Sequence, residues 1–266
     1  AGMVGLLEDI DRRRPAGFRA EGHVVALAGA VWPAPGPSEE GGRAASPPGA
    51  RAGAGSDPGA AGAGSGAGSG EGSGAGGNRH GGGAGWPAPR IGGSEYLLAV
   101  RGIVAGDAPD LDMGLEAALQ RWLVEAAREG LLASAHDCSE GGLGVALAEC
   151  CLMSEVPEGV GAVVELESGG LRWDAVLFGE AASRVVVSAD PGRVARLREL
   201  ASSLGVPVRV IGRTGGGRLE VRLDGAPLVS LPVAELWGAW GALDDAAAGR
   251  TRAAATSGRA RGVNVP

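Results

Sequence analysis

Between Leu131 and Cys150 the chain reads LLASAHDCSEGGLGVALAEC. His136, Asp137, Cys138, Ser139 and Glu140 stand in one run directly ahead of Gly141 and Gly142. An imidazole beside carboxylates suits proton transfer, and a glycine pair opening a helix presents bare backbone N–H groups to an anion. Ser139 is placed to cap a helix beginning near Gly141, with Glu140 favourable in its first turn. The same residues also fit a structural reading, in which His136 is a hydrogen-bonded boundary histidine and the glycines permit close packing. No Ser-His-Asp triad follows, because adjacency in sequence is not triad geometry.

Two further stretches repeat these ingredients. IGGSEYLLAV sets Ser94 and Glu95 behind Gly92 and Gly93 at the start of an apolar helix, with the same N–H groups facing a possible phosphate. DAVLFGEAASRVVVS places Glu180 and Arg184 on either side of small residues, where the plain reading is a surface ion pair before a strand. Gly215 to Gly217 reads as a hairpin turn. Trp237 and Trp240 lie at helical spacing and fit core or interface packing rather than a cofactor platform.

Composition removes whole classes of chemistry. All 24 basic residues are arginine, so neither a P-loop lysine nor a Schiff-base lysine is available within these residues. The net charge of −7 and the scattered arginines argue against nucleic acid, which demands a clustered positive surface; Arg12-Arg13-Arg14 reads as a solvated loop. Cys138, Cys150 and Cys151 form no CxxC, so neither a disulfide framework nor a tetrahedral zinc site is expected and a reducing, cytoplasmic setting is. The apolar run VVALAGAVW is too short to span a bilayer, so no membrane partner is expected.

The elements around these motifs alternate in period. GMVGLLED and HVVALAGAV read as strands. DLDMGLEAALQRWLVEAAREG carries a helical stripe of Leu115, Ala118, Leu119, Trp122, Leu123 and Ala126 stopped by Gly130. GLGVALAECCLM is a second helix, VGAVVELE and SRVVVSAD are strands, and PGRVARLRELASSLG is a helix between Pro191 and Gly205. VPVRVIG and RLEVRLDG follow as paired strands, then the closing helix PVAELWGAWGAL. The fold class is therefore α/β (α+β), a mixed sheet with packed helices. Residues 33–90, where much of the chain's 51 glycines collects, read as a low-complexity flexible insertion, and 244–266 as a disordered tail.

GMVGLLED, GGSEYL, SAHDCSEGGLGVALAE, LFGEAASRVVVS and IGRTGG occur here in the order that resembles the second half of the phosphoribosylformylglycinamidine synthases, of the aminoimidazole ribonucleotide synthetase superfamily. The likeness covers about residues 2–32 and 90–243. It implies that residues 1–20 end a preceding barrel-forming domain and that 21–243 form a synthetase-like C-terminal domain, interrupted by the insertion. It also implies a C-terminal fragment of an ATP-dependent amidine-forming ligase of purine biosynthesis, using ATP and Mg2+ when intact and inactive alone. The implied partners are the upstream half of the enzyme, a glutaminase subunit or domain supplying ammonia, and a small accessory subunit. No catalytic or metal-binding residue falls on this chain; Gly92, Gly93, Ser94, His136, Asp137, Ser139, Gly141, Gly142, Glu180 and Arg184 are its nucleotide- or phosphate-facing candidates. Family loops have Glu-Ser-Gln where this chain has Glu180-Ala181-Ala182, two fewer polar side chains for such a role. A non-catalytic nucleotide-binding or assembly module of the same superfamily is the alternative.

Overall fold

The run VVALAG has no polar position to turn toward water, so as a strand it must be covered on both faces. It forms β1 (Val24–Gly29), all six residues of which are buried. The computed structural model describes residues 13–33 and 88–247, all within one unit of the chain. After β1 come α1 (Glu95–Arg101), α2 (Met113–Arg128), β2 (Ser134–Asp137), α3 (Gly142–Leu152), β3 (Ala162–Leu166) and α4 (Trp173–Phe178). They are followed by β4 (Arg184–Ala189), α5 (Val194–Ser203), β5 (Val208–Thr214), β6 (Arg218–Leu223), β7 (Ala226–Pro232) and α6 (Val233–Ala247).

The strands make one seven-stranded sheet in the order β2-β4-β1-β5-β3-β6-β7. Only β3 and β6 pair in parallel, so the sheet is mixed, as the interleaved sequence pattern implies. Alternation along β1 divides the core in two. Val25 and Leu27 join a cluster with α3, α4 and the start of α6, whereas Ala26 and Ala28 join another with α2 and α5. On β3 the pattern becomes buried-exposed-buried, with Val163 and Glu165 turned outward.

Local chemistry explains the helices that flank the candidate loops. Asp112 caps α2 by accepting from the Gly114 and Leu115 N–H groups at 2.8 and 3.0 Å. The expected stripe is buried at Leu115, Leu119, Trp122 and Ala126. Gly130 (φ +67°) ends the helix as read from sequence: its N–H reaches the Ala127 carbonyl and that of Leu131 the Ala126 carbonyl. Gly205 (φ +69°) closes α5 with the same pair of bonds, to Ser202 and Ala201.

One expectation fails. β5 and β6 are not a hairpin across Gly215–Gly217, because β3 lies between them, antiparallel to β5 and parallel to β6. The glycines let a third strand enter: Gly161 donates to the Gly216 carbonyl at 2.7 Å, and a Cβ at Gly161 would stand 2.2 Å from the Arg218 carbonyl oxygen. The hairpin instead joins β6 to β7 at Asp224 and Gly225, both with positive φ. The six-residue α4 and the strand β7 are additions to the sequence reading. α6 continues to Ala247. The strand read in residues 2–9 lies outside the described residues, as do 34–87 of the insertion and 248–266 of the tail. Among the described residues no helix is long and apolar enough to cross a membrane.

Candidate functional site

The three motif stretches, distant in sequence, meet at Glu180. Its backbone pairs with Arg90, accepting at 3.2 Å and donating at 2.9 Å. One carboxylate oxygen, Oε1, accepts from the Glu95 N–H at 2.9 Å and from the Gly141 N–H at 3.0 Å. A single acidic side chain thereby ties the entrance of α1 to the entrance of α3. The Tyr96 ring stacks on Phe178 of α4 with centroids 4.7 Å apart, joining the α1 and α4 segments from the apolar side.

The glycine pairs serve this junction by close approach. A Cβ on Gly142 (φ +66°) would lie 2.7 Å from the Gly179 carbonyl oxygen, so α3 can press on the end of α4 only through glycine. Gly92 packs against Gly106, where an added Cβ would lie 2.6 Å from the Gly92 Cα, and the Gly93 N–H is bonded to the Ala105 carbonyl at 2.7 Å. Ser94 is buried and caps α1: its Oγ donates to Ile91 O at 2.5 Å and accepts from the Leu97 N–H at 3.2 Å. Ser139 does not cap α3. Its hydroxyl donates to the Asp137 carboxylate, while the cap position belongs to Gly141 in the left-handed conformation. The shorter reach of Asp137, two residues away, wins the hydroxyl, and Glu180 takes the N–H that a cap would have served.

His136 sits at the end of β2 with 11% of its side chain exposed, Nδ1 at 2.7 Å from the Asp137 carbonyl and Nε2 at 3.2 Å from the Glu149 carboxylate of α3. It fastens β2 to α3 and does not line the cleft beside them. That cleft, of about 750 Å³, runs between the start of α2 and the β2–α3 and α4–β4 loops. Of the sequence candidates, Asp137, Ser139, Glu180 and Arg184 line it; Gly92, Gly93, Ser94, His136, Gly141 and Gly142 do not.

Arg184 corrects the surface ion-pair reading. It is 3% exposed, because β4 is buried on both faces, and it forms no pair with Glu180. Its Nη1 makes a long contact of 3.4 Å to the Gly179 carbonyl, and its buried Nε has no hydrogen-bond partner among the described residues. Burial pulls the guanidinium pKa below its ordinary value, partly offset by the neighbouring Cys138 sulfur. The Cys138 thiol is pushed up to about 11, mainly by burial and against the pull of Arg184. It therefore stays protonated and unreactive near neutrality. Cys150 and Cys151 are raised by burial as well.

The cleft also holds residues that the sequence did not single out. Ser183 adopts the left-handed conformation (φ +58°), rare for a side-chain-bearing residue, and its Oγ donates to Glu116 of α2 at 2.6 Å. A Cβ on Gly29 would lie 1.9 Å from the Ser183 carbonyl oxygen, so β1 passes directly under this turn. The small residues of EAAS were the available signal for a tight crossing. The partner Glu116 had none. No cluster of metal-ligating side chains occurs among the described residues.

Residues 81–224 match the family described as AIR synthase related protein, C-terminal domain. The chain is 39% identical over 245 residues to the phosphoribosylformylglycinamidine synthase subunit PurL of Anaeromyxobacter dehalogenans strain 2CP-C, covering 90% of this chain and 24% of that protein. It is 36% identical over 239 residues to the same subunit of Moorella thermoacetica, again 90% of this chain and 24% of the relative. The chain thus spans about a quarter of the length of these curated relatives. Among solved structures, Thermotoga maritima PurL complexed with FGAR superposes with a TM-score of 0.54 at 17% identity, over 85% of this chain and 30% of that one. At that identity the likeness speaks for the fold.

Proposed function

The chain belongs to the AIR synthase related proteins, whose C-terminal domain it carries, and we propose that it is the C-terminal part of an ATP-dependent carbon-nitrogen ligase. The reaction would join ammonia, released from glutamine, to formylglycinamide ribonucleotide to give the formylglycinamidine product. The observation that carries this reading is the convergence of GGSEYL, HDCSEGGL and LFGEAASR on Glu180 beside one cleft, together with relatives of that name aligned over 90% of the chain. ATP with Mg2+ would supply phosphoryl transfer that activates the amide oxygen for displacement by ammonia. This domain's own residues would shape and brace one wall of a ligand cleft, with Asp137, Ser139, Glu180 and Arg184 facing it. The partners would be the upstream half of the enzyme, a glutaminase subunit or domain and a small accessory subunit, in the cytoplasm.

A second reading has its own observation. Glu180 already accepts from the N–H groups at the entrances of both α1 and α3, which fits loops that seal a domain interface in a non-catalytic assembly module. Exchange of the matching quarter of the A. dehalogenans relative for this chain separates the two. The chimaera is expected to form formylglycinamidine ribonucleotide with ATP and ammonia, and the 266-residue chain alone to show no turnover. A soluble, folded chimaera without ligase activity would sink the enzymatic reading.

A further inference from the structure

We infer that the anion-binding group of the cleft is the guanidinium of Arg184, and that Glu180 acts as a built-in carboxylate occupying the helix entrances where an anion would otherwise bind. This deepens, and rests on, the ligand-facing reading of the cleft proposed above. A helix N-terminus attracts anions through donors lacking acceptors. At α3 the Gly141 N–H is bonded to Glu180 Oε1 and the Gly142 N–H to the Ser139 carbonyl at 3.1 Å, and at α1 the Glu95 N–H is bonded to Glu180. A phosphate arriving there would meet a resident negative charge rather than open donors.

Arg184 is in the opposite condition. It lines the cleft, is 3% exposed, and has a buried Nε without a partner among the described residues. Among the described residues its side chain makes one hydrogen bond, the 3.4 Å contact with Gly179 O. A guanidinium carries five donors and stays charged in proteins, so this arrangement leaves buried donor capacity and charge uncompensated. Burying a cation without a counter-ion is strongly unfavourable. An oxyanion with two oxygens in one plane, a phosphate or a carboxylate, matches the fork and supplies the missing charge. The cleft is otherwise lined by the carboxylates of Glu116, Asp137, Glu140 and Glu180, and Arg184 is the one cationic side chain in its lining.

The test uses the 266-residue chain, with inorganic phosphate and acetate titrated in separate arms at an ionic strength fixed with chloride. The Arg184 Nε–H signal is followed by nitrogen-15 NMR. It is expected to move saturably in one arm at least, with a dissociation constant of about 1 mM for a contact of this size, and the arm that responds more tightly identifies the oxyanion class. Arg184→Gln should weaken that binding by about 10- to 100-fold, the loss of a charge-assisted pair. Glu180→Gln, which keeps an oxygen for both backbone N–H groups, should leave binding no weaker than in the wild type. An Nε–H signal that ignores both anions overturns the proposal, as does wild-type affinity in folded Arg184→Gln. If Arg184→Gln does not fold, the wild-type titration decides alone. Because binding is read without turnover, an inactive chimaera leaves this result untouched, and a failed titration leaves the ligase assay standing.

Discussion

Glu180, in the α4–β4 loop, and Arg184, the first residue of β4, are near neighbours in sequence, yet their surroundings are built to opposite rules. Around Glu180, backbone donors meet acceptors and glycines let chain segments touch where a Cβ would collide. Around Arg184, a charged group is buried with a partnerless Nε, and the preceding Ser183 is held in a left-handed conformation. A region completed by the protein's own atoms holds the fold together. A region whose polar groups lack partners stores unfavourable energy that a ligand can relieve, and such sites are where strained backbone collects.

The largest effect that this contrast predicts lies on the Glu180 side. Gly142→Ala forces a Cβ to within 2.7 Å of the Gly179 carbonyl oxygen at φ +66°. Left-handed strain and overpacking together should cost about 3 kcal/mol or more, measured by urea unfolding. A loss below about 0.5 kcal/mol, the range of ordinary surface substitutions, would mean that the junction is looser than its geometry and would dissolve the contrast.

Cys138 lies at the boundary between the two regions and gives the next effect, read by pH. Its folded pKa is about 11, above the usual thiol value of 9.0. Above pH 9 the unfolded chain loses this proton while the folded chain keeps it, so stability is complete below that point and falls as pH rises toward 11. The gap corresponds to about 2–3 kcal/mol, and Cys138→Ala should flatten that part of the pH–stability curve. Cys150 and Cys151, also raised by burial, leave a residual slope in the variant. An unchanged slope in Cys138→Ala would show that the thiol is hydrated and the cleft floor is open to water.

Glu180→Ala should cost about 2 kcal/mol by leaving the Glu95 and Gly141 N–H groups without their acceptor, and Glu180→Gln distinctly less. Equal losses in the two variants would assign the effect to charge rather than to the two bonds.

Much of this molecule was legible where one stretch carries its own instruction. The stripe of α2 and the stop at Gly130 need no information from elsewhere, and β1 declares its two-sided burial by having no polar residue. The false hairpin at Gly215–Gly217 shows the converse, since nothing in those glycines reports that β3 slides between the strands they join. The site divides in the same way. HDCSEGGL, GGSEYL and LFGEAASR were readable as unusual loops, but that one carboxylate would serve two of them depends on a tertiary crossing. Arg184 looked like a surface partner for Glu180 because they are near in sequence. Its depth follows from β4 being an interior strand, paired on both sides and with covered faces, a property of sheet order.

The smallest effect sharpens the Arg184 side. The Ser183 side chain donates one hydrogen bond among the described residues, from its Oγ to Glu116 at 2.6 Å, and the residue sits at φ +58°. Ser183→Ala removes the bond and keeps the backbone strain, so it should lose about 1 kcal/mol. Ser183→Gly also removes the bond, but relieves about 1–2 kcal/mol of left-handed strain, less about 0.5–1 kcal/mol for the more flexible unfolded chain. The glycine variant should therefore be the more stable of the two by about 0.5–1 kcal/mol, despite having fewer contacts. Chemical denaturation of the pair reads this difference directly. If Ser183→Gly is instead the weaker variant, the turn is not strained, and the cleft floor differs from the Glu180 junction only in its unpaired arginine.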